Sequence, residues 1–158
     1  MMRTWFIGFQ SVISLLLILI LPTFSVQAVV FSSEGVELNS SDIHDLLTDS
    51  HPIYTGPVVF FYEYSCTPCL PVIYYLNQYR LSHPETEFIE HTTSSMKTKW
   101  ELEKFAILHN RKVINLPVVF IGPIGIEGTD DIIRLFDDFY SWYMHTNELE
   151  YILIHKIH

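Results

Sequence analysis

Cysteine and positive charge are both scarce in this chain of 158 residues. With two cysteines, the chain can form one internal disulfide, or supply half of the four ligands that a structural metal site usually needs. Lysine and arginine number 9 against 18 aspartates and glutamates, for a net charge of −9. This deficit argues against nucleic acid or an anionic lipid surface as a partner, because both attract clustered basic side chains.

Charged residues of either sign are also few, at 17%, while hydrophobic residues make up 49%. This length and composition predict one domain with ample apolar material for a core. The sequence shows no internal repeat, low-complexity tract or linker that would divide it.

The first 28 residues contain no acidic side chain and a single basic one. An apolar stretch covers residues 12–21, and Val26 and Ala28 occupy the −3 and −1 positions of a cleavage site. This order is typical of a secretory signal peptide over residues 1–28. The alternative is an N-terminal membrane anchor, because the apolar run approaches the length of a spanning helix. Both interpretations place residues 29–158 outside the cytoplasm, periplasmic or secreted, with membrane contact only through the N-terminal segment.

The two cysteines form the motif Cys66-Thr67-Pro68-Cys69, which follows closely on an apolar run at Val58–Tyr62. A C-x-x-C at the end of a strand is suited to redox exchange, to a local bridge or to half of a metal site. A bridge over so short a loop restricts the unfolded chain little. In an oxidising compartment, such a pair is more useful for its reactivity than as a staple. No spacing of His91 or His109 supports a metal site, and none is predicted.

Strands alternate with helices along the rest of the chain. Apolar runs and alternation predict strands at residues 29–31, 58–64, 87–91 and 113–122, with a return strand at 126–127. Caps and helical spacing predict helices at 42–47, 65–81, 94–110 and from 129 onward, the first capped by Ser40 or Ser41. The apolar residues 151–154 are predicted to form a last strand or a docking segment. The order predicts an α/β fold with a mixed central sheet flanked by helices.

These features together resemble the thioredoxin fold, and in particular the exported thiol–disulfide oxidoreductases. The dithiol opens a helix after a buried strand, Leu116-Pro117 precedes a later strand like the family's cis-proline, and a hairpin and closing helix follow. The resemblance covers residues 29–144. It departs at Ser65, where the family often has an aromatic residue, and at Phe60, where many members place a proton-relaying acid. Water or Glu63 would have to take that role.

The resemblance implies roles for four residues. Cys66, at a helix N-terminus that favours its thiolate, attacks a protein disulfide, and Cys69 resolves the mixed disulfide. A cis bond before Pro117 leaves the main chain of Leu116 free to pair with an extended substrate segment. No cofactor is implied.

The direction of exchange is predicted from the residues between the cysteines. Thr67-Pro68 resembles the Gly-Pro of reducing members, whereas a histidine before the second cysteine is typical of strong oxidants. We therefore predict a protein disulfide reductase, with protein thiols and disulfides and a membrane electron donor as partners. The alternatives are a disulfide-introducing oxidase and, from a different class, a redox-inert thioredoxin-like module that binds another exported protein.

Overall fold

The computed structural model of the chain describes residues 29–49 and 56–156. The predicted signal peptide or membrane anchor over residues 1–28 lies outside the described residues. Within the described part, no helix combines the length and apolar character needed to cross a bilayer.

The described residues form one six-stranded sheet and four helices. The strands are β1 (Val29–Phe31), β2 (Glu37–Leu38), β3 (Val58–Tyr62), β4 (Phe88–Thr92), β5 (Val118–Ile121) and β6 (Ile124–Glu127). The helices are α1 (Ser40–Asp49), α2 (Cys69–Ser82), α3 (Met96–Leu108) and α4 (Thr129–Lys156). The strand order is β2-β1-β6-β5-β3-β4, in which β3 and β4 pair in parallel and the other neighbours are antiparallel. The predicted α/β class with a mixed central sheet is confirmed.

Helices cover both faces of the sheet, which explains why β3 and β5 are apolar at every position. On the first face, α2 and α4 pack with alternate strand residues, among them Phe60 and Val119. On the second face, Leu102 and Phe105 of α3 pack against the intervening strand residues. The sheet is therefore the middle layer of three.

The apolar stripe predicted on the last helix forms the largest part of the first layer. All five of its members are buried, namely Ile132, Phe136, Phe139, Tyr140 and Tyr143. Phe136 has ring contacts with Tyr75 and Tyr79 of α2, with Phe88 of β4 and with Tyr140 of its own helix. Helix α4 thus holds α2 and the β4 edge of the sheet in one core.

Five local predictions need correction. Strand β3 ends at Tyr62 rather than at residue 64, and α2 begins at Cys69 rather than at residue 65, because two successive tight turns occupy the residues between them. Strand β5 begins at Val118 rather than at residue 113, since Pro117 has no N–H for a ladder. Residues 151–154 lie within α4, so the predicted last strand is wrong. The Oδ1 atom of Asn39 caps α1, accepting from the N–H groups of Ser41 and Asp42 at 2.8 and 3.1 Å.

Candidate functional site

The sheet topology brings the dithiol and the predicted cis-proline to the same end of the sheet. Strands β3 and β5 are antiparallel, and Phe61 near the end of β3 pairs with Val118 at the start of β5. The Cys66–Cys69 turn follows β3, and Leu116-Pro117 immediately precedes β5. We call this the dithiol end of the sheet.

The two cysteines differ in their access to solvent. They are joined by a disulfide with a Cα–Cα distance of 5.3 Å. Cys69, the first residue of α2, is fully buried in the first layer, whereas Cys66 is only partly buried and lies at the edge of that layer. An incoming thiolate therefore reaches the sulfur of Cys66 more readily than that of Cys69.

Cys66 lies before α2 instead of within its first turn as predicted, since the helix begins at Cys69. The N–H of Cys66 donates to the carbonyl of Glu63 at 3.1 Å, and the N–H of Cys69 donates to the carbonyl of Cys66 at 3.0 Å. The free N–H groups of a helical first turn point toward the residues that precede it. Cys66 thus lies on the side of α2 where a negative charge is stabilised.

Two consecutive residues connect the dithiol turn with the proline loop. The hydroxyl of Thr129 donates to the carbonyl of Pro68 at 2.5 Å, and the N–H of Gly128 donates to the carbonyl of Pro117 at 2.9 Å. Gly128 has a φ of 88°, which glycine adopts without strain. The start of α4 therefore holds the Cys66–Cys69 turn and Leu116-Pro117 beside each other.

The Leu116–Pro117 peptide bond is cis, as predicted. The side chain of Leu116 is partly buried and contacts both core layers, including the one that contains Cys69. The main-chain N–H and C=O of Leu116 lie before the β5 ladder and have no hydrogen bond among those of the described residues. They are available to a segment that approaches the dithiol end.

The position where a proton-relaying acid was expected is apolar in the structure as well. Phe60 is buried and stacks on Tyr62, with ring centroids 4.9 Å apart. Burial, with the neighbouring Tyr64 as a smaller cause, raises the pKa of Tyr62 to about 12, so its hydroxyl stays protonated near neutral pH. Glu63 is exposed in the turn after β3. Neither core aromatic can accept a proton from Cys69.

Exposed apolar side chains lie close to the dithiol in sequence. Tyr64, Leu70 and Tyr74 are 69%, 56% and 70% exposed, whereas Tyr62 is buried and Tyr75 partly buried. The aromatic residues around the motif thus divide between core and surface. The exposed ones provide apolar area for contact with a polypeptide.

The two histidines considered as metal ligands do not join the cysteines. His91 stacks on Phe61 and pairs with Glu101 at 3.1 Å, and His109 packs against Phe105, so both lie on the second face of the sheet. Cys69 belongs to the first face. No group of three or more histidine, cysteine or acidic side chains is arranged for a metal ion within residues 29–49 and 56–156.

Glu127, a buried acid near the dithiol end, is not predicted by the sequence pattern, in which residues 126–127 indicate only a short return strand. Glu127 is 3% exposed, and its Oε2 accepts a hydrogen bond from Asn115 Nδ2 at 2.8 Å. Arg111 lies 3.9 Å from its Oε1, which has no hydrogen bond. Burial raises the pKa of Glu127 above its ordinary value of 4.5, against the opposing effects of Asn115 and Arg111.

We expect Glu127→Gln to become more stable relative to the unchanged protein as pH rises. The raised pKa means that folded Glu127 holds its proton more tightly than the unfolded chain does. The unchanged protein therefore loses stability as pH rises from 4.5 through the folded pKa, and glutamine has no proton to lose. Urea unfolding between about pH 3 and about pH 8 measures the difference.

The matched control is Glu103→Gln on the exposed surface of α3, where the change in stability should stay within about 0.5 kcal/mol. The raised pKa of Glu127 would be contradicted if the free energy of unfolding of Glu127→Gln, relative to that of the unchanged protein, falls with pH or stays constant.

Comparisons of the chain with protein-family models, with curated proteins and with solved structures find no match. The functional interpretation accordingly depends on the residues and contacts described above.

Proposed function

We propose that this protein is an exported thiol–disulfide oxidoreductase of thioredoxin-like fold that reduces disulfides in other proteins. The observation that carries the proposal is the disulfide between a partly exposed Cys66 and a buried Cys69, at the end of a buried strand. The cis Leu116–Pro117 bond at the same end of the sheet supports it. The strand–dithiol–helix–strand unit followed by a hairpin and a closing helix is what the resemblance implies.

Reduction proceeds by two thiolate attacks. In the reduced protein, the Cys66 thiolate attacks one sulfur of the substrate disulfide, and the other substrate sulfur leaves as a thiolate and takes a proton. The Cys69 thiol then loses its proton and attacks Cys66, which releases the second substrate thiol and closes the Cys66–Cys69 disulfide. Two electrons pass to the substrate. A dithiol donor must return two electrons before the next cycle.

The main chain of Leu116 orients the substrate in this proposal. Its N–H and C=O precede the β5 ladder, so an extended segment can pair with them as an added strand. The exposed Tyr64 and Leu70, which are near the dithiol in sequence, supply apolar contact in this proposal. Pairing with main-chain groups tolerates many sequences, as a general reductase requires.

The first described strand begins at the dithiol end of the sheet. Strand β1 begins at Val29, which pairs with Glu127, and Gly128 next to it bonds to Pro117. Residue 29 is thus at the dithiol end, three strand spacings or about 14 Å from β3 across the sheet. The partner that returns electrons to the dithiol in this proposal is a membrane electron donor.

The proposal is tested by a stoichiometric reduction of a protein disulfide. We expect the reduced protein, freed of reductant, to transfer two electrons per molecule to a disulfide-bonded protein such as insulin, as counted by mass spectrometry of alkylated thiols. The Cys66→Ser/Cys69→Ser double variant should transfer none. Failure of the unchanged protein to transfer electrons would contradict the enzyme and favour the redox-inert binding module.

Equilibration with glutathione then decides the direction. A reduction potential near the value of about −270 mV for thioredoxin supports the reductase. A value near about −120 mV, as in DsbA, would replace it by the oxidase.

A further inference from the structure

Helix α3 covers the second face of the sheet loosely. None of its side chains is buried, and its partly buried apolar contacts with the sheet are Leu102 and Phe105. A cavity of about 630 Å³ lies between α3 and the sheet, and we call it the α3 cavity. Gly56-Pro57 before β3 and Gly122-Pro123 after β5 line it, so it opens at the end of the sheet opposite the dithiol.

The walls of the α3 cavity are mostly apolar. Its apolar lining side chains include Val59, Ile89, Phe105, Leu108 and Phe120, and its polar ones are Ser33, His91 and His109. Among the described lining residues there is no lysine, arginine, aspartate or glutamate. Because His91 is already paired with Glu101 at 3.1 Å, a neutral and mostly apolar ligand of small-molecule size suits the space better than a charged one.

One polar side chain of the lining has an unused hydrogen-bonding atom. His109 is 5% exposed, and its Nδ1 lies 2.9 Å from the carbonyl oxygen of Phe105. Because a carbonyl only accepts, Nδ1 carries the proton. Burial lowers the pKa of His109, so the ring is neutral and Nε2 is left with a lone pair.

The lone pair on Nε2 has no partner among the described residues. The ring itself is held in place by Phe31, Phe105 and Phe120, with the Phe120 centroid 4.7 Å away. A buried acceptor without a donor costs stability, which a ligand that donates would restore. Nε2 is closed to water in this conformation, so contact requires a small shift, and α3 is the least anchored element around it.

We propose that the α3 cavity binds a neutral aromatic molecule whose hydroxyl group donates a hydrogen bond to His109 Nε2. The aromatic ring packs against Phe105 and Phe120, and the hydroxyl donates to His109. The proposal is independent of the dithiol, since the cavity lies at the other end of the sheet.

The test compares 1-naphthol with 1-methoxynaphthalene, in which a methyl group replaces the hydroxyl hydrogen, by calorimetric titration of the full chain. We expect 1-naphthol to bind the unchanged protein about tenfold more tightly, the effect of one hydrogen bond at a buried acceptor. Equal affinity for the two probes, or no binding of either, would overturn the proposal.

Two variants assign the effect to the site. His109→Phe keeps an aromatic ring but removes the acceptor, so 1-naphthol should fall to the affinity of 1-methoxynaphthalene. An unchanged preference for 1-naphthol in this variant would overturn the assignment to Nε2.

If circular dichroism shows that His109→Phe does not fold, a second variant, Ile89→Trp, is used. Its side chain fills the cavity from the edge strand, so both probes should lose affinity at least tenfold. If both probes keep their affinity for Ile89→Trp, they bind at another site and the proposal is overturned.

The Cys66→Ser/Cys69→Ser variant separates this proposal from the redox function. It should bind 1-naphthol as the unchanged protein does. A loss of binding in this folded variant would place the ligand at the dithiol and overturn the α3 cavity as its site.

Discussion

Replacement of Cys69 by serine is expected to convert the protein into a trap that holds its substrates covalently through Cys66. Cys66 is the sulfur at the surface of the site, and Cys69 is fully buried beneath it. Without the Cys69 thiolate, nothing within the chain can attack the mixed disulfide, so the adduct persists. The chain has no other cysteine that could replace it. Non-reducing electrophoresis followed by mass spectrometry of the adducts measures the result.

The matched variant is Cys66→Ser, which keeps one thiol at the buried position. Because Cys69 is 0% exposed, we expect at least about tenfold less adduct from this variant. Equal yields from the two variants would contradict the assigned roles, and a larger yield from Cys66→Ser would reverse them. If neither variant forms adducts with exported proteins, the chain does not exchange disulfides with them.

Phe136→Ala is expected to lower the free energy of unfolding by about 3 to 5 kcal/mol. Phe136 is fully buried and its ring contacts α2, β4 and α4 together, through Tyr79, Phe88 and Tyr140. Truncation leaves a cavity where three elements meet, and the surrounding rings cannot close it without moving a helix. A domain of this size has about 5 to 15 kcal/mol of stability, so the loss is a large share of the total. Urea unfolding of the oxidised protein measures it.

Ile133→Ala is the control for this substitution, three residues earlier on the same helix. Ile133 is 38% exposed, so a smaller part of its side chain leaves water on folding. We expect a loss of about 1 kcal/mol or less. Similar losses at the two positions would mean that the first core layer does not depend on the contacts of Phe136.

The sequence contains enough to predict the features that arise from local patterns. The apolar stripe of α4 is visible because residues on one face of a helix recur at a period of 3.6, and all five predicted members are buried. The apolar runs of β3 and β5 are visible because strands covered on both faces have no polar position. The dithiol is visible because the chain contains no other cysteine.

Helix starts were predicted less well, and the physical reason is specific. The pattern from residue 65 onward is compatible with a helix, but Cys66 and Cys69 lie in successive tight turns that the helix follows. Likewise, Ser40 and Ser41 are good caps in isolation, yet they form the first turn of α1 and Asn39 caps the helix with its side-chain oxygen. Alternative starting residues of a helix differ by a single hydrogen bond, and the sequence pattern does not distinguish between them.

The amino-acid sequence by itself determined the α/β class and the dithiol, because each follows from local patterns along the chain, whereas the cis bond before Pro117 was expected from the resemblance to the thioredoxin fold. Only the tertiary structure decided which side chains meet across the sheet. Thr129 reaches Pro68 across 61 positions of sequence, and Glu127 and His109 became buried polar groups through strands and helices that come from distant segments. Burial and contact of this kind depend on how the whole chain packs, so no local sequence pattern predicts them.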